Sequence, residues 1–106
     1  MFTFTNLRTF RSVGSTLESL PSGVFGNVKF LTINVSNSSI RLVDGDVLDK
    51  MGDRLERFIA PGNKLHSFPF GTITDLQRLN VLDLSRNYIE HVDQVLQNKL
   101  KFMIRG

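Results

Sequence analysis

Cysteine is absent from this 106-residue chain. No disulfide framework, thiolate zinc site or thiol nucleophile can be built from it. The absence neither establishes a reducing compartment nor excludes secretion. Tryptophan is absent too and tyrosine occurs once, so nine phenylalanines carry nearly all the aromatic surface. No long apolar run exists, which excludes a transmembrane helix and direct membrane insertion of this segment. The first ten residues hold no basic stretch followed by an apolar one and do not read as a secretory leader. Either the protein is intracellular or a leader lies outside this segment. Charge of one sign is also scarce: the net charge is only +3. Arg8, Arg11, Arg41, Arg54, Arg57, Arg78 and Arg86 are scattered among acidic residues, and a nucleic-acid interface needs its cations gathered, so no nucleic-acid partner is expected. What remains is 41% apolar and 22% charged, the balance of one small globular domain rather than a disordered chain.

The positive signal is a hydrophobic pattern that returns about every two dozen residues. Leu79, Leu82, Leu84, Asn87, Ile89 and Val92 occupy positions 1, 4, 6, 9, 11 and 14 of a template. Leu55, Phe58, Ala60, Asn63, Leu65 and Phe68 fit it, as do Phe30, Ile33, Val35, Ser38, Ile40 and Val43. Leu7, Phe10, Ser12, Ser15, Leu17 and Leu20 fit with one polar departure, Ser12. The starts fall at positions 7, 30, 55 and 79, a nearly constant spacing. A period of that size predicts a solenoid in which each repeat buries its apolar face on its neighbours.

Within one repeat, the run Asn80-Val81-Leu82-Asp83-Leu84 alternates as a half-buried strand does. Position 9 turns the chain, and its side chain replaces backbone hydrogen bonds lost at the bend. Ser15, Ser38, Asn63 and Asn87 form this expected turn ladder. Positions 19 (Phe25, Leu48, Ile73, Gln97) and 22 (Val28, Met51, Leu76, Leu100) are expected behind the strands. Pro21 and Pro69 follow position 14, where no ladder donor is needed. Residues 46–51 have helical apolar spacing, with Asp44 or Asp46 as N-cap.

At Leu79 to Ile89 the motif L-x-x-L-x-L-x-x-N-x-L is complete, and the chain resembles a leucine-rich repeat protein. Leu20-Pro21 followed by Phe25 resembles the typical 24-residue class, most often extracellular or on the cell surface. Ser67-Phe68-Pro69-Phe70 adds a weak similarity to secreted arthropod leucine-rich proteins. The resemblance covers about residues 4–102. It implies an α/β solenoid: a leucine-rich repeat horseshoe segment with a parallel concave sheet and an irregular or short-helical convex side. The expected organisation is a single domain over residues 1–106, with about four repeats and partial repeats at both ends. Phe2 and Phe4 precede the first strand, and Met103 falls where a fifth repeat would begin. The chain therefore reads as part of a longer solenoid, or else as a small protein whose uncapped ends self-associate.

The outward positions 2, 3, 5, 7 and 8 of the strands then form a concave face. Arg8, Arg11, Asn34, Arg57, Ile59, Asn80, Asp83 and Arg86 are its candidate protein-binding residues, because Arg pairs and stacks while Ile supplies apolar area. Asn34-Val-Ser36 and Asn37-Ser-Ser39 match the N-glycosylation acceptor pattern. His66 and His91 lie on different repeats without carboxylates at ligand spacing, so they read as loop residues and no metal is expected. The acidic run Asp44, Asp46, Asp49 and Asp53 lacks calcium-loop spacing. No nucleophile, phosphate loop or carboxylate pair stands out, so neither catalysis nor a cofactor is expected. The leading expectation is a non-enzymatic protein-binding module. The alternatives are a non-catalytic accessory or scaffold subunit of an enzyme complex and an intracellular, cytoplasmic leucine-rich repeat adaptor.

Overall fold

Three-residue strands with an inward-pointing centre recur along the chain. The computed structural model describes residues 8–52, 54–73, 76–89 and 104–105. Phe2, Phe4, Leu7, Asp53, His91, Val92, Gln97, Leu100 and Met103, and the side chain of Ile73, lie outside the described residues. The described elements are β1 (Thr9–Arg11), β2 (Ser19–Leu20), β3 (Thr32–Asn34), β4 (Leu42–Val43), α1 (Gly45–Asp49), β5 (Arg57–Ile59), α2 (Phe70–Ile73), β6 (Val81–Asp83) and β7 (Ile104–Arg105). They make a small α/β arrangement with an open parallel sheet in the order β1-β3-β5-β6-β7 and few helices.

Pairing is parallel throughout that sheet. Thr9 lies opposite Thr32, Thr32 opposite Arg57 and Arg57 opposite Val81, so each strand meets the same template position of the next. The carbonyls of Arg8, Leu31 and Glu56 each accept two N–H groups from the start of the next strand. On the other side of the strands, Ser12, Val35 and Ala60 donate to the carbonyls of Asn34, Ile59 and Asp83. Consecutive short strands thus satisfy their backbone groups across the chain, as parallel strands joined by long connections must.

Ile33, Phe58 and Leu82 at the strand centres are fully buried. With them Phe30, Val35, Leu55, Ala60, Leu79, Leu84, Leu20, Ile40, Val43, Leu48, Met51, Leu65 and Phe68 form one core cluster. Phenylalanine does the bulky filling. The Phe58 and Phe68 ring centroids are 5.4 Å apart and those of Phe68 and Phe70 are 5.3 Å apart. Near β1 the rings of Phe10, Phe25 and Phe30 form a triangle with centroid separations of 4.8 to 5.8 Å, in the tilted and edge-on geometries aromatic pairs prefer.

A second, two-stranded parallel sheet joins β2 to β4. Two-residue strands are too short to leave an alternation pattern. Behind the main sheet α1 begins at Asp44, whose carboxylate accepts from the Asp46 backbone N–H at 2.9 Å, so Asp44 rather than Asp46 is the N-cap. The single turn of α2 follows Pro69, whose carbonyl accepts from the Thr72 N–H.

The Ser22 hydroxyl donates to the Asp46 carboxylate at 2.5 Å, and the Lys50 ammonium stands 3.4 Å away. Ser22 first, then Lys50, hold the Asp46 carboxyl below its ordinary value of 3.8. A depressed carboxyl contributes stability that is present above pH 3.8 and fades as pH falls through the lowered value. Ser22→Ala should move the Asp46 titration back up toward 3.8, read by NMR of the carboxyl carbon. An unmoved titration would remove Ser22 as the main cause.

Candidate functional site

The register lines up two outward rows on the main sheet. Arg11, Asn34, Ile59 and Asp83 make one; Thr9, Thr32, Arg57 and Val81 make the other. Arg8, Arg11, Arg57, Asn80 and Arg86 are exposed, and Asn34, Ile59 and Asp83 are half-buried. The candidate residues therefore share one face of the sheet and its two rims, but they are not equivalent.

Asn34 and Asp83 are engaged locally. The Asn34 Oδ1 accepts from the Ser36 N–H at 3.1 Å and from the Ser36 hydroxyl at 2.5 Å. Asp83 does the same with the Ser85 N–H at 3.1 Å and hydroxyl at 2.7 Å. Both close an Asx turn at the end of their strands. The signal in the sequence was a serine two residues after each. Position 7 also departs from its expected exposure at Pro61, which is buried. Its carbonyl accepts from the Asn37 N–H at 2.8 Å and from the Asn63 amide at 3.3 Å, so the loop closes over it.

Position 8 carries a regularity that apolar spacing does not reveal. Gly14, Asn37, Gly62 and Arg86 all adopt left-handed backbone, with φ of 67°, 51°, 69° and 55°. Glycine takes this conformation without strain and asparagine at small cost, whereas arginine pays for it. A Cβ on Gly62 would collide with the Asn37 side-chain oxygen, so glycine there also makes room for its neighbour.

Beneath these turns runs the position-9 ladder. Asn63 is buried; its Oδ1 accepts from the Ser38 and Ile40 N–H groups at 3.2 and 3.0 Å. Its amide donates to the carbonyls of Val35, Ala60 and Pro61 at 2.9 to 3.3 Å. Asn87 repeats this, accepting from Leu65 N–H and donating to the carbonyls of Ala60, Leu84 and Ser85. Ser38 accepts from the Ser15 N–H at 3.3 Å and hydroxyl at 3.2 Å, and Ser15 accepts from the Leu17 N–H. The Ser38 hydroxyl also faces the carbonyls of Ser12 and Ser36 at 3.1 and 3.3 Å, but it has one proton to give where an amide has two.

Of the two glycosylation acceptors, Asn37 is exposed, while Asn34 is half-buried with its carbonyl oxygen held by Ser36. His66 is exposed and stacks on the exposed Tyr88, with centroids 5.4 Å apart and planes 20° apart, a pairing across repeats that the sequence reading missed. Among the described residues no three His, Cys, Asp or Glu side chains converge as metal ligands, and Asp44 and Asp46 are used in the cap and in the Ser22 contact. At the rim where the strands begin, Arg8, Leu31, Arg54, Glu56 and Arg78 line a shallow cleft of about 420 Å³. Arg54, Glu56 and Arg78 were not among the expected site residues. They come from two successive copies of the template and from two of its phases, and only the folded register brings them together.

No protein-family model matches the chain, and comparison with curated proteins gives no match. Among the described residues no helix is long and apolar enough to cross a membrane.

Proposed function

We propose that this chain is a leucine-rich repeat solenoid segment that acts as a non-enzymatic protein-binding module through the outer face of its main sheet. Three features support the solenoid reading. The parallel register advances by one template period at each step between β1, β3, β5 and β6. Among the described residues, the apolar template positions 1, 4, 6, 11 and 14 from Phe30 to Leu84 are buried. The same template position supplies the side-chain ladder from Ser15 to Asn87.

The observation that carries the binding reading is Arg86. It holds a long cationic side chain at a left-handed position where two equivalent turns use glycine. Strain of this kind costs roughly 1 kcal/mol and is retained where the side chain has work to do. Arg86, Arg11 and Arg57 are all exposed, and none of the three forms an ion pair among the described residues. Exposed guanidinium groups beside the half-buried Ile59, carried on or next to paired strands, can meet a partner with little backbone ordering cost. On the family resemblance, the module belongs to a larger extracellular or cell-surface protein.

The test immobilises the chain, recovers a partner from extracellular fluid of the source, and compares Arg57→Glu and Arg86→Gly. Asp83 is unsuited to such a test because its carboxylate closes a turn. Arg86→Gly should leave the melt unchanged or raise stability by about 0.5–1 kcal/mol, since it relieves the left-handed strain. Both variants should lose the partner. Retention of the same partner by both would remove this face as the binding site, and substrate turnover by the purified chain would end the non-enzymatic reading.

A further inference from the structure

We propose that the cleft where the strands begin is a docking point for an acidic, mixed-charge segment of the partner protein, held by Arg8, Arg54 and Arg78 around Glu56. The inference rests on the protein-binding reading and adds the chemistry of the segment bound. Arg54 and Arg78 immediately precede Leu55 and Leu79, so they recur at one phase of the repeat, while Arg8 and Glu56 share another. The register stacks these phases along one rim: Arg8 and Leu31 carry the carbonyls that receive the following strands, and Glu56 continues that series. Three guanidinium groups thereby line one cleft, with Leu31 as its apolar wall.

These charges have not neutralised one another. Among the described residues Arg8, Arg54, Arg78 and Glu56 form no ion pair, although all four border the same 420 Å³ space. Guanidinium groups along such a rim present forked donors that match carboxylates two bonds at a time. Glu56 decides between classes of anion. A nucleic acid or a sulfated polysaccharide places negative charge at every unit and would set one of those charges against the Glu56 carboxylate. A peptide can place a lysine or arginine there, with carboxylates on either side for the arginines. Among the described residues the cleft has no aromatic lining on which a base could stack.

The probe is a fluorescent peptide of sequence Gly-Glu-Glu-Lys-Glu-Glu-Gly, titrated with the full 106-residue chain and with Arg54→Gln, Arg78→Gln and Glu56→Gln variants. Controls are the same peptide with glutamines for glutamates, a heparin hexasaccharide and a short single-stranded DNA. The acidic peptide should bind saturably in about 50 mM salt and weaken as salt screens the pairs. The double variant Arg54→Gln, Arg78→Gln should weaken it by about ten-fold or more, as expected from losing charge-assisted bonds. Glu56→Gln should weaken the peptide but strengthen heparin, because it removes the discriminating charge. Both side chains of the double variant are exposed, and an unchanged circular dichroism melt shows that the variant is folded; the single substitutions serve if it is not. No binding of the peptide, binding indifferent to Arg54 and Arg78, or tighter binding of heparin or DNA to the parent chain would each overturn the proposal. Loss of the cleft's binding with capture still sensitive to Arg57→Glu would leave the sheet-face reading standing.

Discussion

Replacing Asn63 by alanine should destabilise the chain by about 3–6 kcal/mol, a large share of the roughly 5–15 kcal/mol that holds a domain together. The side chain is buried and its two ends face different stretches of chain. Truncation strips the acceptor from the Ser38 and Ile40 N–H groups and the donor from the Val35 carbonyl. Each buried group left without a partner costs about 1–3 kcal/mol, because no water replaces the lost amide in an apolar interior. Asn87→Ala removes a similar set of bonds, but from a half-buried position that water reaches, so about 1–2 kcal/mol is expected. Urea titration of the three proteins measures both differences. Asn63→Asp separates the two ends of the amide. The introduced carboxylate still accepts from Ser38 and Ile40, but it turns a second oxygen toward the carbonyls of Val35, Ala60 and Pro61. That repulsion raises its folded-state pKa, so the penalty is largest above this value and shrinks as pH falls through it. Equal stability of parent and Asn63→Ala would mean the ladder is decorative.

What could be read from the sequence follows from how strongly each feature marks its neighbours. The inward strand residues were legible because burial repeats: Phe30, Ile33 and Val35 share spacing with Leu55, Phe58 and Ala60, and all six are buried. Asn63 stood out as the polar member of an otherwise apolar template, and its hydrogen bonds explain why an amide fits there. The pairing of β2 with β4 was not legible, since Ser19–Leu20 and Leu42–Val43 are too short to show a period. Neither was the left-handed backbone at position 8, where glycine, asparagine, glycine and arginine share φ but no side-chain chemistry. The candidate face was readable as a set of outward positions. The engagement of Asn34 and Asp83 was not, because it depends on a turn closing within two residues rather than on the repeat. The rim cleft lay further out of reach: Arg54 and Arg78 look like isolated surface charges until adjacent strands set them beside Arg8 and Glu56.

Phe58→Ala is the second large effect, at about 3–5 kcal/mol, and its value lies in where the damage goes. Phe58 is fully buried at the centre of β5, which pairs with β3 on one side and β6 on the other. Its ring also packs 5.4 Å from that of Phe68, so truncation opens a cavity between the sheet and Phe68. Phe10→Ala, at the half-buried centre of edge strand β1, removes the same atoms from a site with fewer walls and should cost only about 1–2 kcal/mol. On the proposed solenoid reading each unit is stabilised by its own packing and by its two neighbours. A central cavity therefore weakens two interfaces and an edge cavity one. Hydrogen exchange distinguishes these outcomes from uniform loosening. With Phe58→Ala, amides of β3 and β6 should lose protection together, as should the Ile40 and Lys64 N–H groups, which bond to the Asn63 side chain and the Ile40 carbonyl. With Phe10→Ala, faster exchange should be confined to Leu31, Thr32 and the serine turns near Ser15, leaving β6 as protected as in the parent. If Phe58→Ala accelerated exchange in β3 but left β6 untouched, the two strands would not share an interior, and the reading of the chain as one stack of repeats would fall with it.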